Sequence, residues 1–132
     1  YNRIRELQLT GHVLMPGAFD DVADLLQAAN TFILPSYMEG LSLSLLEAMA
    51  SNVHVIASDI TANRQLIDSG VHGRLVPVKQ VTPLAEAILT AHASDNSEMV
   101  AAAYQRVRQT FSLESMARKH LQVFEDTLRS GI

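Results

Sequence analysis

The sequence predicts an α/β domain: a parallel, Rossmann-like sheet with helices on both faces. Three observations predict it. Short apolar runs closed by Pro, Gly or Asn alternate with segments of helical spacing, the pattern of successive β/α units. One helical run, residues 43–50, is apolar on nearly every face and reads as buried. The length of 132 residues, 48% of them hydrophobic, allows one domain with a modest core.

Taken in order, residues 2–8 carry Ile4 and Leu7 at helical spacing and read as the tail of a helix. Residues 12–15 form a short apolar strand closed by Pro16-Gly17. Asp20 or Asp21 caps a helix to about Ala29. Residues 31–34 are a second strand, stopped by Pro35, and the buried helix at 43–50 follows. Asn52 suits the left-handed residue that ends a helix. Residues 53–57 form a third strand, and Thr61 caps a short helix to about Ile67. Gly70 and Gly73 frame turns around a fourth strand at 74–78. Thr82-Pro83 reads as a cap with proline at the first helical position, opening a helix to about Ala93. Asp95 with Glu98 is a capping-box variant opening a helix to about Gln109. Ser112 opens the last helix, whose apolar face carries Leu113, Met116, Ala117, Leu121, Phe124 and Leu128. With no strand between them, the last three helices are expected to cover a sheet edge or a neighbouring domain.

Composition narrows the function. A net charge of −4 and no Lys/Arg cluster argue against nucleic acid as partner. Absence of cysteine rules out disulfides and thiolate metal sites, and the five histidines are scattered, so no metal is expected. No apolar run reaches the roughly 20 residues that span a bilayer. The acidic residues on the polar side of the last helix speak against a membrane-surface helix. No signal peptide is evident, and a cytoplasmic location is expected. The chain opens at Tyr1 without an initiator Met, which reads as a fragment.

Glu39 and Glu47 are the candidate chemistry. Ligands of open α/β sheets bind at the carboxyl ends of the strands, where the loop 35–42 lies. Gly40 lets backbone approach a ligand, and the first N–H groups of the next helix form an anion site. Two carboxylates that accept hydrogen bonds from hydroxyls, with a phosphate site between them, describe a sugar nucleotide. The structural alternative is a capping box, with Glu47 reaching back to the N–H of Ser44 and Glu39 an ordinary loop carboxylate.

These residues resemble the retaining GT-B glycosyltransferases of family 4, in their C-terminal, donor-binding domain. Phe32-Ile-Leu-Pro-Ser-Tyr-Met-Glu-Gly-Leu resembles the family's strand and Glu-Gly loop, and Glu39 and Glu47, with seven residues between, resemble its two-glutamate motif. Leu46-Glu-Ala-Met-Ala50, Val55-Ile-Ala-Ser-Asp59, Asp68-Ser-Gly-Val-His-Gly-Arg-Leu-Val76 and Thr110-Phe-Ser-Leu-Glu-Ser-Met116 resemble later segments in the same order.

The resemblance implies a nucleoside-diphosphate sugar as donor, transfer to an acceptor hydroxyl with retention, and no metal or other cofactor. It implies that Glu39 contacts the donor sugar. Gly40, Leu41 and Ser42 supply backbone donors to sugar or diphosphate, Glu47 holds the ribose hydroxyls, and Gly17 lies where the family's backbone reads the nucleobase. Departures are His54 for the usual Pro, Thr61-Ala62 for two frequent glycines and Gln65 for the common Glu.

The family's donor domain begins with two further strands bearing its phosphate-clamping Arg and Lys; these residues and the acceptor-side domain are not in the sequence. The chain is therefore expected to be a truncated GT-B C-terminal domain, inactive alone, meeting its acceptor through the absent N-terminal domain. In the family's order, 3-2-1-4-5-6, the absent strands are central. Either the 13–15 strand closes on the 31–34 strand, or two copies form a homodimer through the open edge. Membrane contact of the parent is left open.

Asp59 either lines the site or caps the helix near Thr61. Arg64 lies on a solvated helix face or contributes phosphate affinity. One rival reading is a non-catalytic α/β module that binds a ligand or a protein. The other, a dehydrogenase dinucleotide domain, lacks a G-x-G-x-x-G after any strand.

Overall fold

In the computed structural model, which describes residues 2–130, β1 (Thr31–Leu34), β2 (His54–Ser58) and β3 (Arg74–Val76) form one parallel sheet in the order β1-β2-β3. Thr31 stands opposite His54 and Ile56 opposite Arg74. Seven helices accompany the described strands: α1 (Asn2–Glu6), α2 (Val22–Gln27), α3 (Leu43–Ala50), α4 (Thr61–Leu66), α5 (Val81–Ala93), α6 (Ser97–Arg106) and α7 (Leu113–Ser130). A π-helical turn, Val107–Phe111, joins the last two.

The strands are apolar at successive positions because both faces are covered. On one face Phe32, Leu34, Val55 and Ala57 pack with Leu45, Ala48 and Met49 of α3, Leu66 of α4 and Ala103 of α6. On the other, Ile33, Ile56 and Val76 meet Leu84, Ala87 and Ala91 of α5. The α/β architecture with helices on both faces is as expected.

Several expectations are corrected. Residues 12–15 form no strand, and every residue from 11 to 20 is exposed. His12 and Val13 instead spend their backbone N–H groups on the carbonyl of Leu9, in the turn leaving α1. Val13 and Leu14 are exposed, so an apolar strand here would have no cover for its faces. The expected closure of 13–15 on β1 is therefore overturned, and among the described strands β1 pairs only with β2.

Nor is α3 buried all round. Leu45, Ala48 and Met49 are enclosed, but Leu43, Glu47 and Ala50, spaced i, i+4, i+7 on one stripe, are exposed, Leu43 by 62%. The stripe facing β2 and α6 is covered, and the opposite one has no cover among the described residues.

Helix starts shift by a residue or two. Ile60 rather than Thr61 precedes α4, and Pro83 is the third residue of α5, still in the first turn where a missing N–H costs nothing. Asn96 precedes α6, with Asp95 accepting from the Ser97 N–H and no return bond from Glu98. Asn52, at φ 58°, is the left-handed residue after α3. The apolar face of α7, including Leu113, Phe124 and Leu128, is exposed, so this helix covers no described sheet edge.

Candidate functional site

The loop 35–42 leaves the carboxyl end of β1 and enters α3, and the segment 59–60 leaves the carboxyl end of β2 and enters α4. A buried hydrogen-bond chain fixes these neighbours to each other. Ser42 Oγ donates to Asn63 Oδ1 at 2.7 Å, and Asn63 Nδ2 donates to the Ser58 carbonyl at 2.8 Å. All three residues are buried.

With its hydroxyl engaged there, Ser42 does not cap α3 through its side chain. Among the described residues no hydrogen bond uses the backbone N–H of Gly40, Ser42 or Ser44. These donors carry the partial positive charge of a helix start and suit an anion. A Cβ added at Gly40 would meet nothing within 4 Å, so the approach to them is open. Leu41 beside it is exposed.

Glu39 is half-buried and lines a cavity of about 330 Å³ between the two loops. Glu47 stands on the exposed stripe of α3 with no hydrogen bond or ion pair among the described residues, and the capping box with Ser44 is not formed. Glu39, Gly40, Leu41 and Ser42 are consecutive in the loop at this edge and Glu47 follows on α3, but of the five only Glu39 lines the cavity. Gly17 has the left-handed backbone of a turn, φ 84°, but lies in the exposed segment before α2 and does not line the cavity at Glu39.

Asp59 does not cap α4. Its carboxylate takes a two-point grip from Arg64, through Nε to Oδ1 and Nη2 to Oδ2, the latter at 2.9 Å. These hydrogen bonds hold the Asp59 carboxyl below the usual range. Asn63 went unnoticed in the sequence. Its signal was a polar residue in the stripe Ala62, Asn63, Leu66, Ile67, where the other three are apolar and buried.

A cavity of about 810 Å³ lies at the opposite, amino ends of the strands, beside Thr31 and His54. His54 is 3% exposed, and neither ring nitrogen has a hydrogen-bond partner among the described residues. Burial, reinforced by Arg74, pushes its pKa down, so the imidazole is neutral. No cluster of three or more metal-binding side chains occurs among the described residues.

A parallel α/β sheet with helices on both faces, its loops 35–42 and 59–60 meeting at the carboxyl ends of the strands, defines a Rossmann-like domain. The family model described as Glycosyl transferases group 1 matches residues 1–94, and the chain belongs to that family.

Among its relatives is the lipopolysaccharide core biosynthesis mannosyltransferase LpsB of Rhizobium meliloti, 28% identical over 132 residues, covering 96% of this chain and 37% of that protein. Sucrose-phosphate synthase from Thermosynechococcus elongatus superposes with a TM-score of 0.86 at 28% identity, over 98% of this chain and 33% of that one. A variant of S. aureus TarM, in complex with Fondaparinux, alpha-GlcNAc-glycerol and UDP, superposes with a TM-score of 0.85 at 26% identity, over 93% of this chain and 26% of that one. The chain spans about a third of the length of the curated relatives it matches. The fold is that of a glycosyltransferase C-terminal domain in part.

Proposed function

We propose that this chain is the nucleotide-sugar-binding part of a GT-B glycosyltransferase of family 4, which moves a sugar from a nucleoside-diphosphate donor to an acceptor hydroxyl with retention. The observation that carries the reading is the edge at 39–47: two carboxylates separated by unpaired backbone N–H groups at a helix start. The UDP of the TarM complex is a nucleoside diphosphate of the kind that would leave in the proposed transfer.

Glu39 accepts hydrogen bonds from hydroxyls of the donor sugar. The N–H groups of Gly40, Leu41 and Ser42 face the diphosphate, and Glu47 accepts from the ribose hydroxyls. The N-terminal dipole of α3 opposes the negative charge that grows on the leaving diphosphate, so it acts more strongly in the transition state than in the ground state. At eight residues α3 supplies only part of that stabilisation. Gly17 is the candidate nucleobase contact, and the remaining cations and the acceptor site would come from other parts of the enzyme. The chain alone is therefore inactive in transfer, needs no metal for donor binding, and works in the cytoplasm.

The test is a transfer assay with radiolabelled nucleotide sugars on the purified chain, alone and mixed with the parent's remaining regions. Turnover only in the mixture, lost with Glu39→Ala, supports the reading. Turnover by the chain alone refutes its inactivity, and an unaffected Glu39→Ala refutes the role of Glu39.

A further inference from the structure

The cavity beside Glu39 has a second wall that the family resemblance does not assign. Tyr37, Met38 and Glu39 line it from the loop after β1, and Asp59, Thr61 and Arg64 line it from the start of α4. At about 330 Å³ it is within the range of small-molecule sites.

Arg64 is fixed in place. Two of its nitrogens bind the two oxygens of Asp59, and the Asp59 N–H is itself bonded to the Val76 carbonyl at 2.7 Å. The third nitrogen, Nη1, has no partner among the described residues. The side chains are 63% and 35% exposed, and an ion pair so exposed adds little to stability. A planar donor held rigid beside a cavity has already lost the freedom that binding would otherwise cost it.

Charge decides what the cavity takes. Glu39 and Asp59 contribute two negative charges and Arg64 one positive, a balance of −1 that disfavours a phosphate. Neutral hydroxyls fit: Glu39 accepts, Arg64 Nη1 donates, and Thr61 does either.

We infer that the Asp59–Arg64 pair is a second sugar-reading element, holding the neutral hexose of the donor opposite Glu39, and not a phosphate contact. This rests on the donor-site reading above. Asp59 acts as a positioning residue, holding the guanidinium so that Nη1 faces the sugar.

The experiment is an NMR titration of the whole chain with UDP, UDP-glucose, GDP and GDP-mannose, and separately with glucose and mannose at high concentration. Arg64→Met, which keeps the apolar stem, and Asp59→Asn are run in parallel. The wild-type chain is expected to bind one sugar nucleotide more tightly than its bare diphosphate by about tenfold, the factor one charge-assisted hydrogen bond supplies. Arg64→Met brings that ratio close to one and leaves diphosphate affinity unchanged. Asp59→Asn reduces the ratio only in part.

A loss of diphosphate affinity equal to that of the sugar nucleotide makes Arg64 a phosphate contact and overturns the inference. So does an unchanged ratio. If no diphosphate binds, the donor-site reading fails, and the monosaccharides still decide. Shifts at 37–39 and 59–64 that vanish in Arg64→Met sustain the sugar cavity, and their absence from the wild-type chain ends it.

Discussion

Replacing Asn63 with Ala should destabilise the chain by about 2–4 kcal/mol and loosen the edge that carries Glu39 and Glu47. The side chain is fully buried and makes two hydrogen bonds, accepting from Ser42 Oγ at 2.7 Å and donating to the Ser58 carbonyl at 2.8 Å. Truncation orphans a buried hydroxyl and a buried carbonyl, each at roughly 1–3 kcal/mol, with some relief where water enters. Ser42→Ala orphans only the Asn63 amide oxygen and should cost about 1–2 kcal/mol. The double variant should cost less than the sum of the two and no more than Asn63→Ala alone, because the hydroxyl that Asn63→Ala orphans is already gone. Urea unfolding of the four proteins, with the midpoint and slope both fitted, measures this cycle. A cost below about 1 kcal/mol for Asn63→Ala, or strict additivity in the double variant, would refute the claim that this chain of bonds ties the two loops.

Other outcomes follow from the same geometry. A Cβ at Gly73 would meet the Val55 side chain at 2.5 Å and its carbonyl at 2.8 Å, so Gly73→Ala should lower stability by about 1–3 kcal/mol, read from thermal melts; an unshifted melt contradicts it. Because burial holds the His54 pKa below its usual 6.5, the unfolded chain takes up a proton that the folded chain refuses, and stability falls as pH drops below about 6.5 toward the folded pKa. His72, lowered by burial and by Arg106, adds to the same loss. His54→Val should flatten the slope, which is at most about 1.4 kcal/mol per pH unit for one proton, and leave neutral-pH stability equal or higher; an unchanged slope in denaturation between pH 7 and 5 contradicts this. The free edge of β1 should pair with a second copy, giving a dimer in sedimentation that Ile33→Pro abolishes; a monomer at every concentration removes that expectation.

The three sheet strands were legible because each has a neighbour: apolar runs bounded by Pro35, by Asn52 and by Gly73 need only pairing and cover, and both were present. Residues 12–15 carry the same local signal and fail for want of cover, which no local pattern reports. The helix at 43–50 misled in a related way. Its all-round apolarity describes surroundings richer than the described residues provide, so Leu43 and Glu47 emerge exposed.

At the candidate site, the loop, the helix start and both carboxylates were legible from spacing. The Ser42–Asn63–Ser58 chain and the Asp59–Arg64 fork were not, because each depends on the approach of segments 5 to 21 residues apart in the folded edge.

The most direct test of the donor-site reading is an amide-resolved titration with UDP-glucose and GDP-mannose of the wild-type chain and of Glu47→Ala. The expected result is shifts concentrated at residues 39–47, weakened at least tenfold in affinity by Glu47→Ala with the fold unchanged. Shifts absent from 39–47, or equal in the two proteins, would contradict it.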